Sequence, residues 1–453
     1  MAAVAKTSFE SSSGSDRPPT ASPVARGRAS IALARRTTPG RLRMQSLLIV
    51  ALALATGLLA SVVVNDRLDT TLSIRDSSEP VVVAAREIQA NLAEADAAAA
   101  NAFLAGGVED ANQRQRYELA LESAGVSIAE AASRIGDDQE SVEAIEAIQK
   151  AVGEYAGLVE TARVNNRLGF PVGAAYLNTA SSLLTDPDGV YVQTDVIANN
   201  GASRYRDDYN GLLGTGLIPL VIAALLAIGL LIALLRTQTY ISNTFRRRFN
   251  APLAGATVLS MVLVAWLVIS FVGQATSLQS AREDGFNGVR QYVDARALGF
   301  RAKGSESRFL IARGGGDISE FDADADRLVD GDDSGLLIRA LDDADSSGER
   351  NAGNDALAEW QSYRRVHDRI VAAAADGERE EAESLALGES NTEFDDFSAA
   401  VDRAVDRNQQ QFDSSMDGAS DALKFLTYGS LVVAFFIALL ALFGIQQRIN
   451  EYR

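Results

Sequence analysis

Side chains suited to catalysis or metal binding are scarce in this sequence. It contains one histidine, His367 in SYRRVHDRI, and no cysteine. Pairs of Cys and His for nucleophilic catalysis, and metal sites rich in either residue, are therefore excluded. No phosphate-binding loop, kinase signature or nucleophile elbow occurs. We predict a protein that is not an enzyme and has no cofactor, and we expect His367 to be a surface residue beside Asp368.

An acidic run is the only candidate for a metal site. Residues 321–333 (FDADADRLVDGDD) carry the alternating acids of a calcium-binding loop. If Asp322 is the first ligand, Arg327 stands at the sixth position, where such loops need glycine, and Asp333 replaces the final glutamate. The run is therefore predicted to be a solvated acidic loop without a metal.

Arginines within acidic segments are candidates for binding an anion, because a guanidinium holds a carboxylate through two parallel hydrogen bonds. The predicted ligand-binding residues are Arg163, Arg167, Arg308, Arg313, Arg364 and Arg365. The alternative is that each forms salt bridges with the many neighbouring Asp and Glu residues. A separate basic cluster, Arg246, Arg247 and Arg248, is predicted to contact a cytosolic partner.

Four apolar runs must position these residues: 44–65, 212–235, 251–273 and 425–445. Each is long enough to cross the ~30 Å hydrocarbon core of a bilayer as a helix. None contains a charged residue, which is unlike most carriers and pumps. The first run is also compatible with a secretory signal, but its length and its distance from the start favour a permanent anchor.

The distribution of basic residues predicts the topology. The short segment 236–250 holds four arginines and no acid, and basic residues in short loops stay cytoplasmic. Residues 1–43, a disordered basic tail, and residues 446–453 are then cytoplasmic too, in a multi-pass plasma (inner) membrane protein. Residues 66–210 and 274–424 become extracytoplasmic. The net charge of −18 lies mostly in these two segments, so a nucleic-acid partner is not expected.

Both extracytoplasmic segments have helical patterns. In the first, apolar residues at 142, 145, 148, 152, 155, 159 and 162 keep one face of a helix. Gly-rich and Asp-rich breakers predict a helix ending near 104, then helices over 111–135, 139–168 and 172–185, and one from 190 into the second span. In the second segment a helix covers 272–312, breakers follow at 314–317, 330–335, 346–354 and 376–378, and the last helix runs from about 391 through the fourth span.

The two halves also match each other. NAFLAGG at 101–107 aligns with SRFLIARG at 307–314, which pairs Phe103 with Phe309, and Tyr155 then falls near Trp360. The predicted fold is an all-α membrane protein with four transmembrane helices and two extracytoplasmic antiparallel helical bundles arranged as a tandem repeat.

Each half resembles the four-helix ligand-binding domains of bacterial chemoreceptors and sensor kinases. The resemblance rests on the FL pair near the first turn, on EYAGLVETARVNN and EWQSYRRVHDRI, and on GFPVGAAYLNTASSLL. Two such units with a basic N-terminus and no cytoplasmic signalling domain resemble the GlnX-type four-span membrane proteins of actinobacteria. That resemblance implies a place between an extracytoplasmic amino-acid-binding lipoprotein and a cytosolic Ser/Thr protein kinase.

The predicted function is a signal relay across the membrane. It would sense a solute-binding protein or a small anionic amino acid outside and act on a cytosolic protein partner inside. The alternative is a structural or transporter-accessory scaffold. The sequence leaves open whether the chain forms a homo-oligomer and whether its two bundles pack on each other.

Overall fold

The computed structural model describes residues 38–106, 111–169, 171–213, 217–245, 250–312, 318–330 and 335–450. Within these ranges the chain is helical and contains no strand. The predictions made for the N-terminal tail up to residue 37, for Arg246–Arg248, for Arg313 and for the end of the acidic run lie outside the described residues.

The described residues of the first half form seven α-helices. They are α1 (Thr38–Ser73), α2 (Glu79–Ala105), α3 (Ala111–Arg134), α4 (Gln139–Arg167), α5 (Val172–Thr185), α6 (Val190–Leu213) and α7 (Leu217–Phe245). A π-helical turn, Ile74–Ser78, joins α1 to α2. We call α2–α6 the first bundle.

The described residues of the second half form seven more. They are α8 (Ala251–Ser280), α9 (Asn287–Ile311), α10 (Ser319–Ala325), α11 (Leu336–Asp342), α12 (Ser347–Ala375), α13 (Arg379–Leu387) and α14 (Glu389–Asn450). π-helical turns occur at Ala281–Phe286 and Asp326–Asp330. We call α9–α13, with the part of α14 that packs on them, the second bundle.

These bounds confirm most of the predicted helices, and α3, α4 and α5 end within one residue of the predicted positions. The predicted breaker at 346–354 is wrong. Ser346 Oγ accepts a hydrogen bond from the Glu349 N–H, and Glu349 Oε2 accepts one from the Ser346 N–H. This capping box starts α12 at once. Gly353 lies within this helix, and the position requires glycine because a Cβ there would lie 2.5 Å from the Tyr292 hydroxyl.

Four helical runs are long and apolar enough to cross a membrane: Gly40–Ala105, Val221–Asn243, Ala251–Ile311 and Arg379–Asn450. The protein is thus an all-α membrane protein. The prediction that α6 continues into the second span falls on residues 214–216, outside the described part.

Contacts divide the chain into two compact units. One unit contains Met1–Leu58, Ala224–Val264 and Leu431–Arg453, and within it Asn250 Nδ2 donates to the Gly444 carbonyl at 2.9 Å. The other contains Leu59–Ala223 and Ala265–Ser430. The second unit therefore includes both bundles.

Helix α2 lies at the centre of that second unit. All eight residues from Ala95 to Ala102 are buried, so the helix has no solvent face along this stretch. A helix that is buried all round must be surrounded by other helices, and α2 packs against α3 and α6 of its own bundle and against α9 of the other. Its alanines allow this close approach. The two bundles therefore share one core across the α2–α9 contact.

Candidate functional site

A cavity among the described residues lies between the two bundles. Its volume is about 640 Å³, within the range of small-molecule sites. Helices α2, α5 and α6 line one side, and α9, the third π turn and α11 line the other. Its charged lining residues are Arg86, Asp195, Asp294, Arg301, Arg327 and Arg339.

On one wall of the cavity the charges are paired. Arg86 Nη1 lies 2.5 Å from Asp195 Oδ1, and Arg86 Nε lies 3.4 Å from Asp294 Oδ1. This guanidinium therefore joins α2 to α6 in its own bundle and to α9 in the other. Burial raises the pKa of Asp294, and the charge of Arg86 acts in the opposite direction.

On the opposite wall positive charge is in excess. Arg301 Nη2 lies 3.1 Å from Asp324 Oδ1, and Arg327 Nη1 lies 3.9 Å from the same oxygen. Arg339 is exposed, and no carboxylate in the described part of the chain forms an ion pair with it. Asp324 is therefore shared by Arg301 and Arg327, and Arg339 adds a third guanidinium to the cavity lining. The Arg301 guanidinium also lies over the Tyr191 ring, 5.5 Å from its centroid.

The predicted binding arginines of the first bundle lie elsewhere. Arg163 is buried, with Nη1 2.7 Å from Glu160 Oε1 and its guanidinium 4.2 Å from the centroid of the Tyr117 ring. Arg167 is exposed at the end of α4. Neither lines the 640 Å³ cavity.

Arg308 of the second bundle connects the two bundles. Its Nη1 donates to Asp96 Oδ2 on α2 at 2.6 Å, and its Nη2 donates to Ser305 Oγ at 3.0 Å. Asp96 Oδ1 in turn accepts a hydrogen bond from Ser181 Oγ at 2.6 Å. The structure therefore gives Arg308 the salt-bridge role that was the alternative to ligand binding.

The last two predicted arginines lie on α12. Arg364 Nη2 lies 3.8 Å from Asp322 Oδ1, and Arg364 Nε lies 3.7 Å from Asp368 Oδ1. The Arg364 guanidinium also lies over the Phe321 ring. Arg365 is exposed and donates to Ser362 Oγ on the preceding turn. The structure does not bring the described predicted arginines together in one site.

A buried polar network occupies the second bundle. Glu306 Oε1 accepts hydrogen bonds from Lys303 Nζ and from Ser390 Oγ, both at 2.8 Å. Glu306 Oε2 lies 2.7 Å from His367 Nδ1 and 3.3 Å from the Tyr363 hydroxyl. Burial would raise the pKa of Glu306, but the Lys303 ammonium and the His367 hydrogen bond outweigh it and lower the pKa to about 2.

The expectation that His367 is a surface residue is wrong. It is 2% exposed, and its ring stacks on Phe321 at 3.4 Å between centroids. The expectation of a solvated acidic loop is also wrong for the described part of that run, because Phe321 and Asp324 are buried in helix α10. No group of three His, Cys, Asp or Glu side chains suited to a metal ion occurs among the described residues.

Glu79 lies where the first π turn meets α2 and is 4% exposed. Burial, with Asp413 and Glu130 nearby, raises the pKa of this carboxyl to about 8. In the unfolded chain this carboxyl ionises near pH 4.5, so rising pH ionises it in the unfolded state before the folded state and favours unfolding. The contribution of Glu79 to the free energy of unfolding is therefore fully present below pH 4.5. It is lost as pH rises towards 8, and the loss is at most roughly 5 kcal/mol.

Changing Glu79 to Gln is expected to remove this pH dependence, because glutamine keeps the shape without the titration. The thermal unfolding midpoint of the full chain in detergent would be measured at pH 5 and pH 8. Glu146→Gln, on an exposed face of α4, is the matched control. Equal pH dependence in Glu79→Gln and in the unchanged protein would contradict the assignment.

The cavity arginines were missed by the sequence analysis, although one of them carried a signal. Arg86 stands in the run VVVAAREIQA and is the one basic residue of helix α2, which is rich in alanine. An arginine in such a helix must find partners inside the protein. Arg301 and Arg339 carry no comparable signal, because their role depends on which helices surround them.

Residues 70–210 match the family model of an actinobacterial sensor domain. The matched segment runs from the end of α1 through the first bundle, and it provides the α2, α5 and α6 side of the cavity. The first half of the chain is thus similar to a sensor domain. This match supports an actinobacterial sensor protein. No curated protein and no solved structure matches the chain.

Proposed function

We propose that this protein is a non-enzymatic sensor that relays a signal across the plasma membrane. The ligand would be an extracytoplasmic amino acid or the lipoprotein that binds it, and the recipient a cytosolic partner such as a Ser/Thr protein kinase. The sensor-domain match of residues 70–210 supports the sensing role.

The observation that carries the relay is the continuity of the helices. Helix α14 has 62 residues, starts in the second bundle and contains the whole apolar run 425–445. Its second residue, Ser390, belongs to the buried Glu306 network. A small shift of such a helix at one end is carried to the other, because a helix is stiff along its axis.

The orientation follows from the basic residues. Arg41 and Arg43 precede the first apolar run, and Arg246–Arg248 lie between the second and third. Basic residues in these places favour a cytoplasmic location for both termini and for the short central segment. The two bundles are then extracytoplasmic, and the central segment offers a contact surface for the cytosolic partner.

A spacing of 207 residues recurs at two places and supports a tandem repeat of the two halves. It separates the starts of the π turns at Ile74 and Ala281. It also separates Arg67 from Gln274, whose side chains share a 3.0 Å hydrogen bond. Equivalent residues touch each other where a two-fold axis passes between two related units. The halves would thus form a two-fold pair within one chain.

Hydrogen exchange on the full chain in nanodiscs tests the relay. The probe is a mixture of the common amino acids, with the same concentration of sodium chloride as the control. A relay should change the protection of α14 on both sides of its apolar run. Unchanged protection with the amino acids, and also with an added solute-binding lipoprotein, would favour the scaffold alternative.

A further inference from the structure

We propose that the cavity between the bundles binds one small organic anion per chain through a carboxylate group of that anion. The proposal gives a ligand class to the sensor function above and rests on it.

Asp324, beside the cavity, is 3% exposed. This carboxylate is the shared partner of Arg301 and Arg327, while Arg339 has no ion-pair partner among the described residues. A cavity wall with more guanidiniums than carboxylates attracts an anion. Guanidiniums hold a carboxylate with charge-assisted hydrogen bonds, which are stronger than neutral ones.

The remaining lining groups fit an organic anion better than a bare ion. Ala297 and Leu298 supply an apolar patch, and Gln89 and Asn199 supply amide groups. Polar and charged side chains outnumber the apolar ones in this lining, which suits a polar organic anion. The volume of about 640 Å³ is far larger than a lone inorganic anion needs.

The two halves differ at the position of this cavity, which is why we propose one anion site per chain. At the spacing of 207 residues, Glu94 takes the place of Arg301. The cavity beside Glu94 is only about 10 Å³, and Arg116 of α3 lines it. There Arg116 Nη1 donates to Asp395 Oδ1 at 2.7 Å. The unbroken helix α3 occupies this side, whereas α10, the third π turn and α11 take its place beside Arg301.

Isothermal titration calorimetry on the full chain in detergent tests the proposal. The probes are butyrate, succinate and citrate, with neutral succinamide and inorganic phosphate as comparisons, each through the millimolar range. At least one carboxylate is expected to bind at one site per chain. Arg339→Gln should weaken that binding by about 10- to 100-fold, because one charge-assisted hydrogen bond is lost.

Arg206→Gln is the matched control, since Arg206 is an exposed arginine outside the cavity, and it should leave the affinity unchanged. Equal affinity in Arg339→Gln and the unchanged protein would overturn the proposal. So would succinamide binding as tightly as succinate, or binding of phosphate alone. If no carboxylate binds but a solute-binding lipoprotein still changes the hydrogen exchange of α14, the anion site is wrong and the proposed relay function is not contradicted.

Discussion

Replacing Glu306 with alanine is expected to destabilise the protein by about 3–5 kcal/mol, because it leaves the Lys303 ammonium buried without a carboxylate. Lys303 is 3% exposed, and its remaining hydrogen bonds go to Ser390 Oγ at 2.6 Å and to the Ala386 carbonyl. The loss would be measured as a lower thermal unfolding midpoint and as faster hydrogen exchange at the start of α14.

Glu154→Ala, on an exposed face of α4, is the control and should change the free energy of unfolding by less than about 0.5 kcal/mol. Acid should imitate the Glu306 substitution. The pKa of Glu306 is lowered to about 2, so its contribution is present above 4.5 and lost as pH falls towards 2. Equal unfolding midpoints for Glu306→Ala and Glu154→Ala would show that the network does not hold the bundle.

Replacing Asp96 with alanine is expected to loosen the contact between the two bundles and to cost about 3 kcal/mol. Asp96 is 7% exposed and is the 2.6 Å partner of Arg308, whose side chain is 18% exposed. Its removal leaves a largely buried guanidinium facing an alanine-rich helix. Hydrogen exchange should rise along α2 and α9 together, because both helices lose the same connection.

The double variant Asp96→Ala, Arg308→Met should recover part of this loss, since it removes a guanidinium left with only the exposed Glu320 as ion-pair partner and fills the space with an apolar side chain. The control is Glu389→Ala. It breaks the 2.8 Å pair with Arg369, which is exposed on both sides and is expected to contribute less than about 1 kcal/mol. A loss for Asp96→Ala no greater than for Glu389→Ala would contradict the role of the Asp96–Arg308 pair.

The helices could be predicted from the sequence because their signals are local. The apolar face from Ile145 to Ala162 and the breaker at Gly136–Asp138 both act within a few turns of the chain. The one false breaker, at 346–354, was read from two glycines and several polar residues. Its capping box, Ser346 with Glu349, was a local signal for a helix start and was overlooked.

The candidate site could not be predicted in the same way. Arg301 and Arg339 become neighbours of Arg86 only through the packing of α2 on α9, which joins residues more than 200 positions apart. His367 was placed at the surface because its neighbours in sequence, Arg365, Asp368 and Arg369, are charged. Its burial depends on Glu306, 61 positions away, and on the Phe321 ring.

The first two π turns have a mechanical consequence. A π turn closes its hydrogen bonds one residue later than an α turn and so stores one extra residue. If Ile74–Ser78 relaxed to α-helical bonding, α1 would rotate about its axis by roughly 100° relative to α2, the angle of one residue at 3.6 per turn. The same holds for Ala281–Phe286 between α8 and α9. A change of backbone hydrogen bonds within either π turn would therefore turn the helix before it relative to the helix after it.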